Sequence, residues 1–342
     1  MGKKQLLAKL LCQTRLIRLL GMFSGVSVDD IRILAYHRVY DMGVEDEFPY
    51  DPELISATVD DFRWQMSLLK SQYNPITFET MLQHMKEGKS LPAKSVIVTF
   101  DDGHEDNHRF AFPVLKELGV PATIFLSTEY MDTNKIFWFD FVANLTYRLP
   151  VGEYQVPGLP KPINITDDVA ARRAECERVL GDMKLISNQG RLDAIEYLQN
   201  NFGHFCDSTE GTPISGPMNW DQVREMSANG IEFGSHTVSH PILAKLDSQS
   251  LKWELEESKA AIEKHTGKIA HVIAYPVGGK SHTSAEVFKM AETAGYDIGT
   301  TYISGVSRID WDSRFQFERL HVERYTTRED FEAMLALPAI FH

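Results

Sequence analysis

Cysteine is nearly absent from this 342-residue chain: Cys12, Cys176 and Cys206 stand far apart, and no C-x-x-C pair occurs. A disulfide framework or a thiolate zinc site does not follow from such usage. Positive charge is also in short supply, with 35 Lys and Arg against 48 Asp and Glu and a net charge of -13. That balance argues against nucleic acid as the main partner, because a phosphate backbone calls for clustered Lys and Arg. Long apolar runs are missing, and no short apolar core with a small-residue cleavage site marks an export signal. On these lacks the expected location is the cytoplasm or the inner face of a membrane. Internal repeats and low-complexity tracts are lacking too.

What is present, 43% hydrophobic and 24% charged residues, suits a soluble globular protein with a sizeable core. Residues 1–28 stand apart: they carry Lys3, Lys4, Lys9, Arg15 and Arg18 among leucines, with no acid. They read as a basic amphipathic helix that either packs on its own domain or makes peripheral contact with a membrane surface.

From Ile31 strand and helix signals alternate. "IRILAYHRV", "SVIVTF" and "PATIFLS" read as strands, while "DDFRWQMSLLKSQY" and "FAFPVLKELG" read as helices, the latter closed by Gly119. Between about 132 and 217 the rhythm breaks, where Pro150, Pro157, Pro160, Pro162, Pro213 and Pro217 frame a charged helical stretch, and this reads as an insertion. The alternation then resumes with "IEFGSH", the long helix "DSQSLKWELEESKAAIEKHTG", "IAHVIAYP", "SAEVFKMAETAG" and "YDIGTTY". Such alternation implies a mostly parallel sheet or barrel with helices outside.

Two stretches carry chemistry. "VIVTFDDGHED" runs a buried strand into the adjacent carboxylates Asp101 and Asp102, which asks for a cation, a proton, or only a solvated turn. "GIEFGSHTVSHP" ends a strand in His236 and His240, which can converge on one ion if the segment makes a single helical turn. In α/β barrels active sites lie at the C-terminal ends of strands, where both pairs fall on this reading.

These residues resemble the polysaccharide deacetylases of carbohydrate esterase family 4, the NodB-type domain. The T-F-D-D-G motif stands unbroken at Thr99 to Gly103, and H-[ST]-x-x-H stands at His236 to His240. "ILAYHRV", "FWFD", "WDQVREM" and "VIAYPVGG" are similar to the subgroup associated with bacterial surface glycans. The resemblance covers about residues 31–342 and implies a distorted (β/α) barrel of about seven parallel strands, fewer than the usual eight, spanning 29–342 with the insertion on its substrate side.

Carried over residue by residue, the resemblance makes Asp102, His236 and His240 ligands of a divalent metal, normally Zn2+ with Co2+, Ni2+ or Mn2+ as alternatives, and Asp101 the general base. The third motif departs from R-x-P-Y-G. "AYPVGG" has Ala274 in the Arg position and Val277 in the Tyr position, so Val277 would offer its backbone N–H to the oxyanion, and Arg319 is the candidate to orient Asp101. His321 is the candidate general acid. His37, His104, Tyr275 and, from the insertion, Trp138 are expected to face substrate. The implied activity is removal of N-acetyl groups from an N-acetylated sugar in a glycan or glycan precursor. Hydrolysis of another non-peptide C–N bond on the same barrel, or glycan binding by an inactive site, stay open as alternatives.

Overall fold

The computed structural model describes residues 3–14, 16–17, 30–43, 48–133, 135–206 and 216–341. The chain divides into two compact units, one made of residues 1–41, 54–132 and 218–342, the other of 42–53 and 133–217.

In the first unit seven parallel strands close into a barrel: β1 (Asp30–Tyr36), β2 (Ser95–Phe100), β3 (Thr123–Leu126), β4 (Glu232–Ser235), β5 (Val272–Ala274), β6 (Ile298–Ser304) and β7 (Phe317–His321). Each pairs with the next, and β1 closes the ring by pairing with both β2, from Arg32↔Val96 to Tyr36↔Phe100, and β7, at Leu34↔Leu320. The ring is uneven. A single residue pair, Ile273↔Ser235, joins β4 to β5, and the register shifts between β6 and β7. Every residue of "SVIVTF" is buried, as expected of a parallel strand covered on both faces.

Inside the barrel Ile33, Ile97, Phe125, Ala274, Ile298 and Phe317 form a continuous apolar core with Phe78, Met81 and Leu82 of helix α2 (Phe78–Glu87). Glu232, at the start of β4, anchors that helix by accepting from the N–H groups of Phe78 (3.0 Å) and Glu79 (2.9 Å). A carboxylate at a helix N-terminus is the favourable arrangement, and it leaves the opposite end of the barrel, where the strands finish, for the site.

In the same unit helix α1 (Lys3–Gln13) packs Ala8, Leu11 and Cys12 on Ala333, Ala336 and Leu337 at the end of helix α7 (Arg328–Ala336). Arg15 and Arg18 of the basic segment lie outside the described residues. Among the described residues no helix is long and apolar enough to cross a membrane.

The second unit is helical: α3 (Trp138–Arg148), α4 (Val169–Leu185) and α5 (Asn188–Phe202), with a short antiparallel hairpin pairing Gly152–Tyr154 with Ile163–Ile165. Arg172 of α4 donates to the carbonyls of Tyr147 (3.0 Å) and Leu149 (2.8 Å), satisfying groups that the end of α3 leaves open. Residues 42–53 join the unit through Asn144, whose Nδ2 donates to Pro49 O at 3.0 Å.

Barrel packing leaves no room at Gly234 of β4. A Cβ there would stand 2.7 Å from the Phe125 ring and 2.8 Å from Val272 O. Gly234→Ala is therefore expected to destabilise the protein by about 1–3 kcal/mol, as overpacking does, read as a lower urea midpoint at an unchanged slope.

Candidate active site

At the end of β2 the two adjacent carboxylates part company. Asp102 takes a left-handed backbone (φ 71°) and Gly103 follows at φ 84°, in a space so tight that a Cβ on Gly103 would sit 2.7 Å from Leu126 Cδ2. The turn sends Asp101 one way and Asp102 another. Asp101 accepts two hydrogen bonds from the Arg319 guanidinium, at 2.7 and 2.8 Å, with both side chains buried. Arg319 also donates from Nε to Thr301 O at 2.9 Å, which fixes its plane. Burial works to raise the Asp101 carboxyl, but the charge and hydrogen bonds of Arg319 outweigh it and hold the group below the ordinary carboxylate range.

Asp102 faces the histidines. Its Oδ1 lies 3.5 Å from His236 Nε2 and 3.3 Å from His240 Nε2. Here the structure corrects the expected helical turn. The chain from His236 to His240 is an irregular loop with left-handed residues at Thr237 (φ 70°) and His240 (φ 56°). The loop is held by Glu254, a residue that sequence reasoning missed. Its buried carboxylate accepts from Val238 N (2.7 Å), Ser239 N (3.0 Å) and the Ser239 hydroxyl. Glu254 belongs to helix α6 (Ser248–Thr266), whose buried positions Leu251, Glu254, Leu255, Ser258 and Ile262 form one stripe. An acid inside an otherwise core-facing stripe was the available signal.

His236 Nδ1 lies 2.8 Å from Ala274 O. A carbonyl can only accept, so the proton sits on Nδ1 and the Nε2 lone pair is turned toward Asp102. Burial pushes the His236 pKa down to about 4, keeping the ring neutral. Asp102 Oδ1 is buried without a hydrogen bond, and ligand atoms of Asp102, His236 and His240 all lie within 4.8 Å of one another. One carboxylate with an unsatisfied buried oxygen and two imidazoles form a donor set that fits a divalent cation and leaves positions for other ligands.

The loop after β5 follows Ala274, whose carbonyl His236 meets. Val277 is left-handed (φ 61°), a strained state for a β-branched residue, and Gly278 (φ 54°) lies so close to β6 that a Cβ would be 2.4 Å from Tyr302 N. Tyr302, also unforeseen, stacks on His321 with ring centres 3.7 Å apart, presents an edge to His37 at 5.4 Å, and lies under the Arg319 guanidinium at 5.3 Å. The His37 side chain is 18% exposed, with Nε2 3.9 Å from Asp101 Oδ2. His321 Nε2 is buried without a hydrogen bond, and burial together with Arg319 pushes its pKa down to about 4.

Three residues expected to face substrate are placed otherwise. His104 is buried, with Nε2 3.3 Å from Asp102 Oδ2. Tyr275 is wholly buried, its hydroxyl donating to Phe315 O at 3.1 Å. Trp138 is 5% exposed, with the Arg191 guanidinium 4.8 Å over its ring and Phe139 against its edge. A face so covered cannot stack on a sugar.

A closed parallel barrel with this Asp-Asp and His-His site at its strand ends is the architecture of the NodB-type carbohydrate deacetylases. The chain belongs to the polysaccharide deacetylase family, whose model matches residues 88–299. It is 24% identical to YxkH of Bacillus subtilis over 238 residues, 70% of this chain and 55% of that protein. It is 26% identical to the poly-beta-1,6-N-acetyl-D-glucosamine N-deacetylase of Staphylococcus epidermidis over 181 residues, 52% of this chain and 60% of that one. The matches thus span less than two thirds of either relative. The structure of the Streptococcus pyogenes deacetylase PplD in complex with acetate shares the fold, at a TM-score of 0.58 and 18% identity over 92% of this chain and 98% of that one.

Glu254 gives the site a test that needs no substrate. Glu254→Ala frees the loop bearing both histidines, so divalent-metal affinity should fall roughly 10–100-fold, measured by competition with a chromophoric chelator while far-UV circular dichroism is retained. Unchanged affinity would show that the loop is held by other means.

Proposed function

We propose that this protein is a metal-dependent N-deacetylase that hydrolyses N-acetyl groups of an N-acetylglucosamine-type glycan. The observation that carries the proposal is the contrast between two neighbouring carboxylates: Asp102 beside His236 and His240, and Asp101 locked by Arg319 without joining that cluster. The substrate class is supported by the likeness to the Staphylococcus epidermidis enzyme. Asp102, His236 and His240 would hold the divalent cation, with zinc the ion best matched to two imidazoles and one carboxylate. Once bound, such an ion polarises the amide carbonyl and lowers the pKa of a water.

The chain's own residues do the rest. Asp101, ionised and held in one orientation by Arg319, takes the proton of the attacking water. Pairing with Arg319 weakens it as a base but guarantees its charge at neutral pH. The Val277 N–H is assigned to the developing oxyanion, in a loop pinned by Gly278 against Tyr302. The departing amine then needs a proton from an imidazole. His321 was the candidate from sequence, but its buried Nε2 and low pKa leave it neutral. His37 is the better donor. Burial lowers its pKa too, against Asp101 and Asp102, but its side chain is partly open, with Nε2 3.9 Å from Asp101 Oδ2, so it can be reprotonated from solvent beside the base.

Two experiments test these roles. Asp102→Ala should lose both metal and acetate release from β-1,6-linked N-acetylglucosamine oligomers. Asp101→Asn should keep its metal and lose about 10²–10⁴ in rate. Elemental analysis of each purified variant decides the matter, and a metal-free Asp101→Asn beside a loaded Asp102→Ala would reverse the assignment.

For the proton donor, His37→Ala should slow release from a glucosamine amide by about 10²–10⁴ while sparing an activated ester, whose leaving group needs no proton. If His321→Ala shows that selectivity and His37→Ala does not, His321 is the acid.

A further inference from the structure

Helix α1 is apolar on two sides, and only one of them is covered. Ala8, Leu11 and Cys12 are packed against α7, whereas Leu6, Leu7 and Leu10 are exposed by 59%, 42% and 56%. At 100° per residue the three exposed leucines form a single stripe almost opposite the docked one, with the exposed Lys9 on one flank, whereas Lys4 falls on the docked side. Leu16, just beyond, is exposed as well.

Charge is sorted in the same way. Around the chain's net charge of -13, residues 1–28 hold five Lys and Arg and no acid. The acids nearest α1 are on its covered side: Cys12 Sγ approaches Glu329 O at 3.6 Å, and burial together with Glu332, Glu329 and Asp330 raises its thiol. The exposed side is therefore leucine edged on one flank by Lys9, turned away from these acids. An aqueous partner would not need three adjacent leucines, and a purely apolar one would not need a segment with five basic residues and no acid; the Lys9 stem can reach along the apolar surface while its ammonium group stays in water.

We infer that α1 seats the protein on an anionic lipid surface, with Leu6, Leu7 and Leu10 in the headgroup boundary and Lys9 against lipid phosphates. The placement bears on the site. Lys4 and Gln5 line a cavity of about 420 Å³ together with Ser304, His321 and Glu323 at the ends of β6 and β7. The lipid surface would thus lie beside the mouth of the barrel, favouring glycans held close to a membrane. That last step rests on the proposed function, whereas the docking itself does not.

The test is flotation of the full chain with vesicles of phosphatidylglycerol and phosphatidylcholine. The full chain should float with the anionic vesicles at low salt, stay behind with pure phosphatidylcholine, and be released at high salt. Leu6→Gln, Leu7→Gln and Leu10→Gln together should lower the floated fraction roughly tenfold or more, while melting temperature and acetate release from soluble oligomers match the parent. Should the triple variant melt early, Leu6→Gln alone, at the most open part of the stripe, should still lower flotation several-fold. The inference is overturned if the parent ignores anionic vesicles at low salt, if neutral vesicles serve equally, or if the leucine variants float like the parent. Leucine-dependent self-association without flotation, seen by sedimentation, would assign the face to a second copy instead. Because soluble-substrate activity is measured separately, a failure here is distinct from a failure of the deacetylase reading.

Discussion

A buried guanidinium gripping a buried carboxylate is the interaction on which the barrel mouth depends. Asp101 and Asp102 are neighbours in sequence, and two adjacent carboxylates in a dry site repel one another. Arg319 resolves this by neutralising the first through two hydrogen bonds while the second turns toward the histidines. Desolvating such a pair is expensive unless the geometry is good and the remaining donors are used. Both conditions hold, since Arg319 also reaches Thr301 O at 2.9 Å and Thr99 Oγ1 at 3.3 Å. The pair bridges β2 and β7, the two strands that flank β1, so barrel closure and site assembly rest on the same contact.

Strain gathers where the chemistry is proposed. Among the described residues, non-glycine positions with positive φ are Lys94, Asp102, Asp132, Thr237, His240 and Val277, and four of these six belong to the site. Each is costly by itself and persists only where its surroundings hold it. Those holds are visible: Glu254 under the histidine loop, Gly103 against Leu126, and Gly278 against Tyr302. The result is a set of side chains whose directions are fixed by backbone rather than by rotamer choice, a form of preorganisation.

What could be read from sequence follows the range of the interactions. Asp101, Asp102, His236 and His240 are legible because each pair is local and follows an apolar strand. The barrel was legible for the same reason, as the strand and helix signals are short-range. Arg319 lies 218 residues from Asp101, and only the empty Arg position at Ala274 drew attention to it. The shape of the histidine loop was not legible, since a helical turn and a loop with two left-handed residues place histidines at the same spacing. Glu254 was hidden because its function is to accept from loop backbone, which leaves no mark on neighbouring residue types. That Trp138, Tyr275 and His104 are buried was not legible, because burial of a large side chain is decided by distant packing. An aromatic beside a motif looks the same whether it is open or covered.

The second unit is assembled from two separate lengths of chain, 42–53 and 133–217, fastened in part by the Asn144 bond to Pro49 O. It is therefore not a cassette. Cutting out the longer length alone would strand the shorter one with its partners gone, and grafting the longer length onto another barrel would leave Asn144 reaching for a carbonyl the new host does not supply. Exchange of this unit between barrels, in the laboratory or in descent, has to happen at two places at once, which ties the loop after β1 and the loop after β3 to a common history.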